Sequence, residues 1–136
     1  TLAAASIKLG LTQCLKMGSL AAKRDWGYAG DHVEAMWRML QAEVPDDYVI
    51  GTGILHSVED LVRLAFACVD LDWQQHVESD PDLFRPDEHF QLVADPSKAK
   101  QNLHWQPAIS FEALVEKMVI QDMERLRAGT AQPVGI

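Results

Sequence analysis

Reactive side chains in recognisable settings are what this sequence has least of. Its two tyrosines, Tyr28 and Tyr48, are followed at the fourth position by His32 and Thr52, so there is no Y-x-x-x-K pair. No G-x-S-x-G nucleophile turn is present. The two cysteines, Cys14 and Cys68, stand far apart without a C-x-x-C, and both sit among apolar residues. That setting predicts buried thiols in a reducing compartment. His32-x-Glu34 and His76-x-Glu78 are the only close metal-type pairs, and neither matches H-E-x-x-H. Ser57 reads as a helix cap, and the five histidines are scattered. No residue is assigned a catalytic role, and no metal site is expected.

Positive charge is scarce too. Twelve Lys and Arg against 20 Asp and Glu leave a net charge of −8. Nucleic acid is not an expected partner, because a phosphate backbone calls for a basic stripe. No apolar run approaches the roughly 18 residues of a membrane span. No signal peptide is recognisable, so the expectation is a cytoplasmic protein. The first residue is Thr1 rather than Met, which hints at truncation or processing.

What remains is an ordinary globular composition, with 136 residues, 48% of them hydrophobic and 24% charged. A chain of this length buries roughly 68–70% of its unfolded surface, enough for a core. One domain is expected over residues 1–128, with a flexible tail over 129–136.

Helix-favouring residues fill 2–9 and Gly10 is a natural stop. Val33, Met36, Trp37 and Leu40 at i, i+3, i+4, i+7 predict an amphipathic helix over 29–43. Ser57-Val58-Glu59-Asp60 predicts a capping box, with a helix to about residue 70. Asp95-Pro96 predicts a short helix over 96–103, and Ser110 opens a last one reaching Arg127. Short strands are predicted at 14–17, 48–50 and 91–94, and an irregular loop at 71–88. The fold class is mostly α with short strands. The strands are too few for a sheet of their own, so the chain is either a helical cluster or an α/β fragment of a larger parallel sheet. Trp26, Trp37, Trp73 and Trp105 read as core residues.

On so acidic a chain an anionic ligand needs a local basic site. Arg24, in Ala22-Lys23-Arg24-Asp25-Trp26-Gly27, and Arg85, in Phe84-Arg85-Pro86-Asp87-Glu88, are the best-placed cationic forks. Guanidinium suits phosphate because it donates two parallel hydrogen bonds. Each also has a plainer reading: Arg24 paired with Asp25 or stacked on Trp26, and Arg85 as a solvated loop charge. Gly51-Thr52-Gly53 invites comparison with a dinucleotide loop, but His56 stands where the third glycine belongs. A tight turn is the simpler reading.

Taken together these blocks resemble a known family. The run from Gly18 through Lys23-Arg24-Asp25-Trp26-Gly27 to Met36-Trp37 is similar to a signature of GDP-mannose 4,6-dehydratases, extended short-chain dehydrogenase/reductases. The similarity continues through Tyr48-Val49-Ile50-Gly51-Thr52-Gly53, His56-Ser57-Val58, Phe84-Arg85-Pro86-Asp87-Glu88, Asp95-Pro96-Ser97-Lys98-Ala99-Lys100 and Trp105-Gln106-Pro107, in one register.

The resemblance implies the C-terminal, substrate-binding part of an extended Rossmann-type enzyme, lacking the dinucleotide-binding half. In that family a G-x-x-G-x-x-G loop and a catalytic Thr, Glu, Tyr and Lys lie in the N-terminal part, without counterpart here. The family's reaction uses NADP to oxidise C4 of the mannosyl unit, eliminates water across C5–C6 and returns the hydride to C6. A further substrate lysine of the family aligns just before Thr1. The resemblance implies no cofactor site in this chain. It implies that Arg24 and Arg85 contact the GDP diphosphate and that Glu88 contacts the nucleotide's sugar or base. The expected ligand is GDP-mannose or a related nucleotide sugar, held weakly or lost, and the expected chain is catalytically inactive alone. A free-standing oligomerisation or interaction module derived from the family, as a homo-oligomer, is the alternative. Departures from the family bear on binding strength and subunit contacts: Ser19, Tyr28, Gly30, His89-Phe90-Gln91, Leu2 and Ser6.

Overall fold

The computed structural model describes residues 1–84 and 92–134. Among them five α-helices and four short strands follow one another. These are α1 (Leu2–Lys8), β1 (Leu15–Met17), β2 (Lys23–Arg24), α2 (Ala29–Gln41), β3 (His56–Ser57), α3 (Val58–Ala67), β4 (Val77–Ser79), α4 (Ser97–Asn102) and α5 (Phe111–Arg127). Strand β1 pairs with β4, and β2 with β3. The described residues divide into two compact units, one of residues 1–22, 57–84 and 115–134, the other of 23–56 and 92–114.

In the first unit α1 is only seven residues long, too short to hold itself together in water. Burial of Ala3, Ala4, Ala5, Ser6 and Ile7 supplies the stability instead. Its end is a Schellman turn: Gly10 at φ +71 lets its own amide reach the Ile7 carbonyl while the Leu11 amide reaches Ser6. The same pair of bonds closes α5, from Gly129 to Leu126 and Thr130 to Arg125. The core of this unit includes Val62, Ala65 and Phe66 of α3 and Val115, Val119 and Leu126 of α5.

The start of α3 is the predicted capping box. Ser57 Oγ accepts the Asp60 amide, and Asp60 accepts the Ser57 amide in return. The amides of Val58 and Glu59 donate to the carbonyls of Ala22 and Leu20. Protein groups therefore occupy the whole first turn of this helix.

Strands β1 and β4 run parallel, with Leu15, Lys16 and Met17 opposite Val77, Glu78 and Ser79. This corrects the reading of 71–88 as wholly irregular: the described part, up to Phe84, holds β4 between two single 3-10 turns, Trp73–Gln75 and Pro81–Leu83. The strand forms because β1 offers it a ladder, a partner 62 residues away that local composition does not announce.

In the second unit, Ala35, Ala99, Leu103 and Trp105 are buried together, with Met39, Ala42, Tyr48 and Ile50 packed on them. The predicted strand at 48–50 is not formed, since no described neighbour supplies a ladder there. Residues 92–94 are likewise not a strand, and Gln91 lies outside the described residues. Trp105 fills the centre of this core, and its indole N–H donates to the Asp31 carbonyl oxygen.

Helix α2 is amphipathic in an unexpected sense. Its inward face is Ala35 and Met39, continued by Ala42 just past the helix end. The stripe that announced the helix points outward: Val33 is 62% exposed, Met36 59%, Trp37 57% and Leu40 81%. The helix thus has two apolar faces. Trp37 is not a core residue, and only Trp105 of the four tryptophans is fully buried.

The cysteines differ from expectation as well. Both are free, Cys14 half-buried and Cys68 exposed at the C-terminal end of α3. Partial burial of the thiol and then the Glu116 carboxylate push the Cys68 pKa up, which keeps the thiol protonated and unreactive at neutral pH. Apolar neighbours in sequence misled here, because a helix end can turn one residue outward from an otherwise buried face.

Candidate functional site

Arg24 lies on β2 and is exposed; its guanidinium donates to the Lys23 carbonyl oxygen at 2.7 Å. The two residues that follow it anchor the strand. Trp26 stacks on Phe111 with ring centres 5.6 Å apart, and Phe111 stacks on His56 at 3.8 Å. Residue 56 also belongs to β3, the strand paired with β2. The backbone beneath Arg24 is therefore held by a ladder on one side and by a column of three rings on the other.

Asp25 provides the third hold. Its carboxylate accepts the Thr52 amide at 2.9 Å, the Thr52 hydroxyl at 2.5 Å, the Gly53 amide at 2.9 Å and the Ala94 amide at 3.3 Å. Burial raises its pKa, but the bonds from the Thr52 hydroxyl and the three backbone amides outweigh it and hold the group below the ordinary carboxylate value. Gly51 makes the approach possible. A Cβ there would run into the methyl group of Ala94 and come within 3.1 Å of Asp25 Oδ2.

This geometry explains the Gly51-Thr52-Gly53 turn. Two of its amides face a carboxylate supplied by the chain itself, and the amides opening α3 are bonded to Ala22, Leu20 and Ser57. The turn is an anion cradle already filled from within, so it serves the fold rather than a dinucleotide. Sequence reasoning passed over Asp25 and Thr52. Their signal, a carboxylate 27 residues before a glycine turn, has no meaning until the fold brings them together.

A second aspartate does similar work at the other end of the motif. Asp31 Oδ2 accepts the amides of Ala108 and Ile109, fixing the stretch after Trp105-Gln106-Pro107 against α2. Arg38 donates to Glu34 and to the carbonyls of Leu103 and His104, which satisfies the end of α4. Beside that contact an open cleft of about 320 Å³ is lined by Trp37, Gln41 and Asn102 among others.

Arg85 and Glu88, the other two candidate ligand-binding residues, lie outside the described residues. The histidine–glutamate pairs are not assembled into metal sites. His32 Nδ1 faces the Tyr28 carbonyl and His76 Nδ1 faces that of Gln13. Among the described residues no group of three or more His, Cys, Asp or Glu could hold a metal ion. No helix among them is long and apolar enough to cross a membrane.

Comparison with known proteins decides the family. The family model for GDP-mannose 4,6 dehydratase matches residues 1–118. The chain belongs to the GDP-mannose 4,6 dehydratase family. GDP-mannose 4,6 dehydratase 1 of Arabidopsis thaliana is 50% identical over 124 residues, covering 91% of this chain and 34% of the relative. The GDP-mannose 4,6 dehydratase of Homo sapiens is 41% identical, covering 90% of this chain and 38% of the relative. The chain therefore spans little more than a third of the length of these relatives.

Solved structures agree on the fold. RMD from Pseudomonas aeruginosa complexed with NADPH superposes with a TM-score of 0.81 at 18% identity, over 91% of this chain and 41% of that one. The dTDP-glucose 4,6-dehydratase of Bacillus anthracis in complex with NAD gives 0.75 at 20% identity, over 92% and 39%. The matched part is the C-terminal portion of the extended short-chain dehydrogenase/epimerase fold, without the dinucleotide-binding half. The chain is thus a segment of a sugar-nucleotide enzyme family.

Proposed function

We propose that this chain is the nucleotide-sugar-binding portion of a cytoplasmic GDP-mannose 4,6-dehydratase, and that on its own it is catalytically inactive. The observation that carries this reading is the mounting of Arg24. The arginine sits in the family's K-R-D-W-G block, exposed on a strand held by the β3 ladder, the Trp26–Phe111 stack and the Asp25 carboxylate. A backbone that is already fixed adds no ordering cost of its own when the cation it carries meets a diphosphate. Arg85 joins Arg24 on the diphosphate in this reading, and Glu88 contacts the nucleotide's sugar or base. The segment orients GDP-mannose, while NADP and the groups that move protons and hydride come from other sequence.

Calorimetry with GDP-mannose tests it. Two charge-assisted contacts at about 1.5–3 kcal/mol each do not outweigh the roughly 4–15 kcal/mol cost of association by themselves, so binding no tighter than about 1 mM is expected. Arg24→Ala and Arg85→Ala should each weaken binding about tenfold. Binding indifferent to both substitutions, or sugar dehydration on adding NADP, would overturn the proposal.

One observation favours a second reading, an interaction module that forms homo-oligomers. The outward stripe Val33, Met36, Trp37 and Leu40 on α2 is an uncovered apolar seam at helical spacing. The same seam on a second copy could close it by two-fold symmetry. Sedimentation velocity is the check: this reading expects a dimer that Leu40→Lys converts to monomer, and a monomer throughout rejects it.

A further inference from the structure

We infer that Asp25 is the positioning residue of the nucleotide-sugar site, its carboxylate acting as an internal anion that locks the strand bearing Arg24 to the Gly51–Gly53 turn and to Ala94. The inference rests on the nucleotide-sugar reading above and adds to it the residue through which Arg24 is made rigid.

Three features carry it. First, the bonds are numerous and come from distant places. One carboxylate accepts four hydrogen bonds from three residues, in two segments that lie 27 and 69 positions along the chain. A capping or turn aspartate ordinarily serves amides within a few residues of itself. This one does not, so its geometry is that of a clasp.

Second, the site is shaped for the clasp. Gly51 lies so close to Ala94 and to Asp25 Oδ2 that any side chain would force them apart. Gly53 adopts φ +76, which aims its amide at Oδ2. Thr52 closes the turn with both its amide and its hydroxyl, and the hydroxyl oxygen also accepts the Ile54 amide at 3.2 Å. The glycines and the threonine of the turn are therefore all explained by one acceptor.

Third, the clasp is adjacent to the cation. Asp25 immediately follows Arg24, the last residue of β2. Asp25 is bonded to Thr52, Gly53 and Ala94, while Lys23 and Arg24 just before it are both exposed. The bonded carboxylate thus fixes the backbone from which the Arg24 side chain extends. Asparagine cannot substitute: one of its two head atoms would be an N–H₂ donor facing amide donors.

The experiment is a double-mutant cycle on the full chain, with GDP as probe in calorimetry. Arg24→Ala, Asp25→Asn and the pair are compared. Asp25→Asn should weaken GDP binding about tenfold in the unaltered background and less than threefold in the Arg24→Ala background, because its effect passes through the arginine. In amide NMR spectra of Asp25→Asn, the signals of Thr52, Gly53 and Ala94 should move while the rest of the spectrum stays dispersed. Thr52→Val, which exchanges the hydroxyl for a methyl group and keeps the side chain's shape, is the milder variant should Asp25→Asn fail to fold; it should weaken GDP binding about threefold, again only when Arg24 is present.

The outcomes separate cleanly. If the unaltered chain binds GDP and Asp25→Asn binds it equally, the positioning role is overturned and the nucleotide reading stands. If the losses from Arg24→Ala and Asp25→Asn simply add, Asp25 supports the fold at large and the inference is likewise overturned. If the unaltered chain does not bind GDP, the nucleotide reading fails, and the positioning role fails with it.

Discussion

The side-chain hydroxyl and the backbone amide of Thr52 both donate to Asp25 Oδ1, at 2.5 and 2.9 Å. The same hydroxyl oxygen accepts the Ile54 amide. Thr52→Val keeps the shape of the side chain and deletes the two bonds made by the hydroxyl, leaving the backbone amide in place. The carboxylate and the Ile54 amide each lose a partner in a part-buried site. Stability should fall by roughly 1–2 kcal/mol, measured by urea unfolding.

Gly51 offers an independent probe of the same region, since its flaw is steric. Gly51→Ala places a methyl group against Ala94 and near Asp25. The cost should be about 1–3 kcal/mol from overpacking. Thermal unfolding checks it, and a stability equal to that of the parent would mean the turn can relax.

The capping box of α3 gives a prediction of known scale. Ser57→Ala removes the acceptor of the Asp60 amide. The expected loss is about 1 kcal/mol, again read in urea. Asp60→Ala should cost a similar amount, and the double variant less than the sum, because the bonds are reciprocal.

Acid should weaken the protein in a defined window. The folded pKa of Asp25 is lowered, and so is that of Asp60, where the Ser57 hydroxyl and then the Ser57 amide hold the carboxylate charged. A depressed carboxylate contributes stability that is present above the unfolded pKa of about 3.9 and lost as pH falls through the lower folded value. The unfolding temperature should therefore be flat near neutrality and drop below about pH 4. In Asp25→Asn the drop should be shallower, which calorimetric scans across that range will show.

Trp105 is the largest fully buried side chain, and its N–H bonds to Asp31. Trp105→Ala should cost about 3–5 kcal/mol, and in a chain of this size that is a large part of the total. Circular dichroism on heating will register it. Trp37→Ala, an exposed position on the neighbouring helix, should change the unfolding temperature little.

Much of the helical structure is legible in the sequence, because its signals are local. Gly10 ends α1, Ser57 and Asp60 open α3, and α5 runs from Phe111 to Arg127 as the periodicity predicts. Strands are legible only when a partner can be guessed. Leu15–Met17 forms where a strand is predicted, but its partner Val77–Ser79 sits in a stretch read as loop, and 48–50 has the composition of a strand without a ladder. Exposure is least legible. The stripe on α2 identifies the helix correctly, yet says nothing of which face meets the core, since Ala35 and Met39 form a second apolar face. The candidate site was half visible. Arg24 stands out by type and setting, whereas Asp25 becomes meaningful only through Thr52, Gly53 and Ala94, residues that folding delivers.

The filled cradle at Gly51–Gly53 has a consequence for how such turns respond to solution anions. Asp25 is tethered to the same chain, so it confronts these amides at an effective concentration that dissolved phosphate or sulfate must outcompete. Buffer anions should leave this turn untouched, and glycine-rich turns elsewhere that carry their own aspartate are closed in the same way.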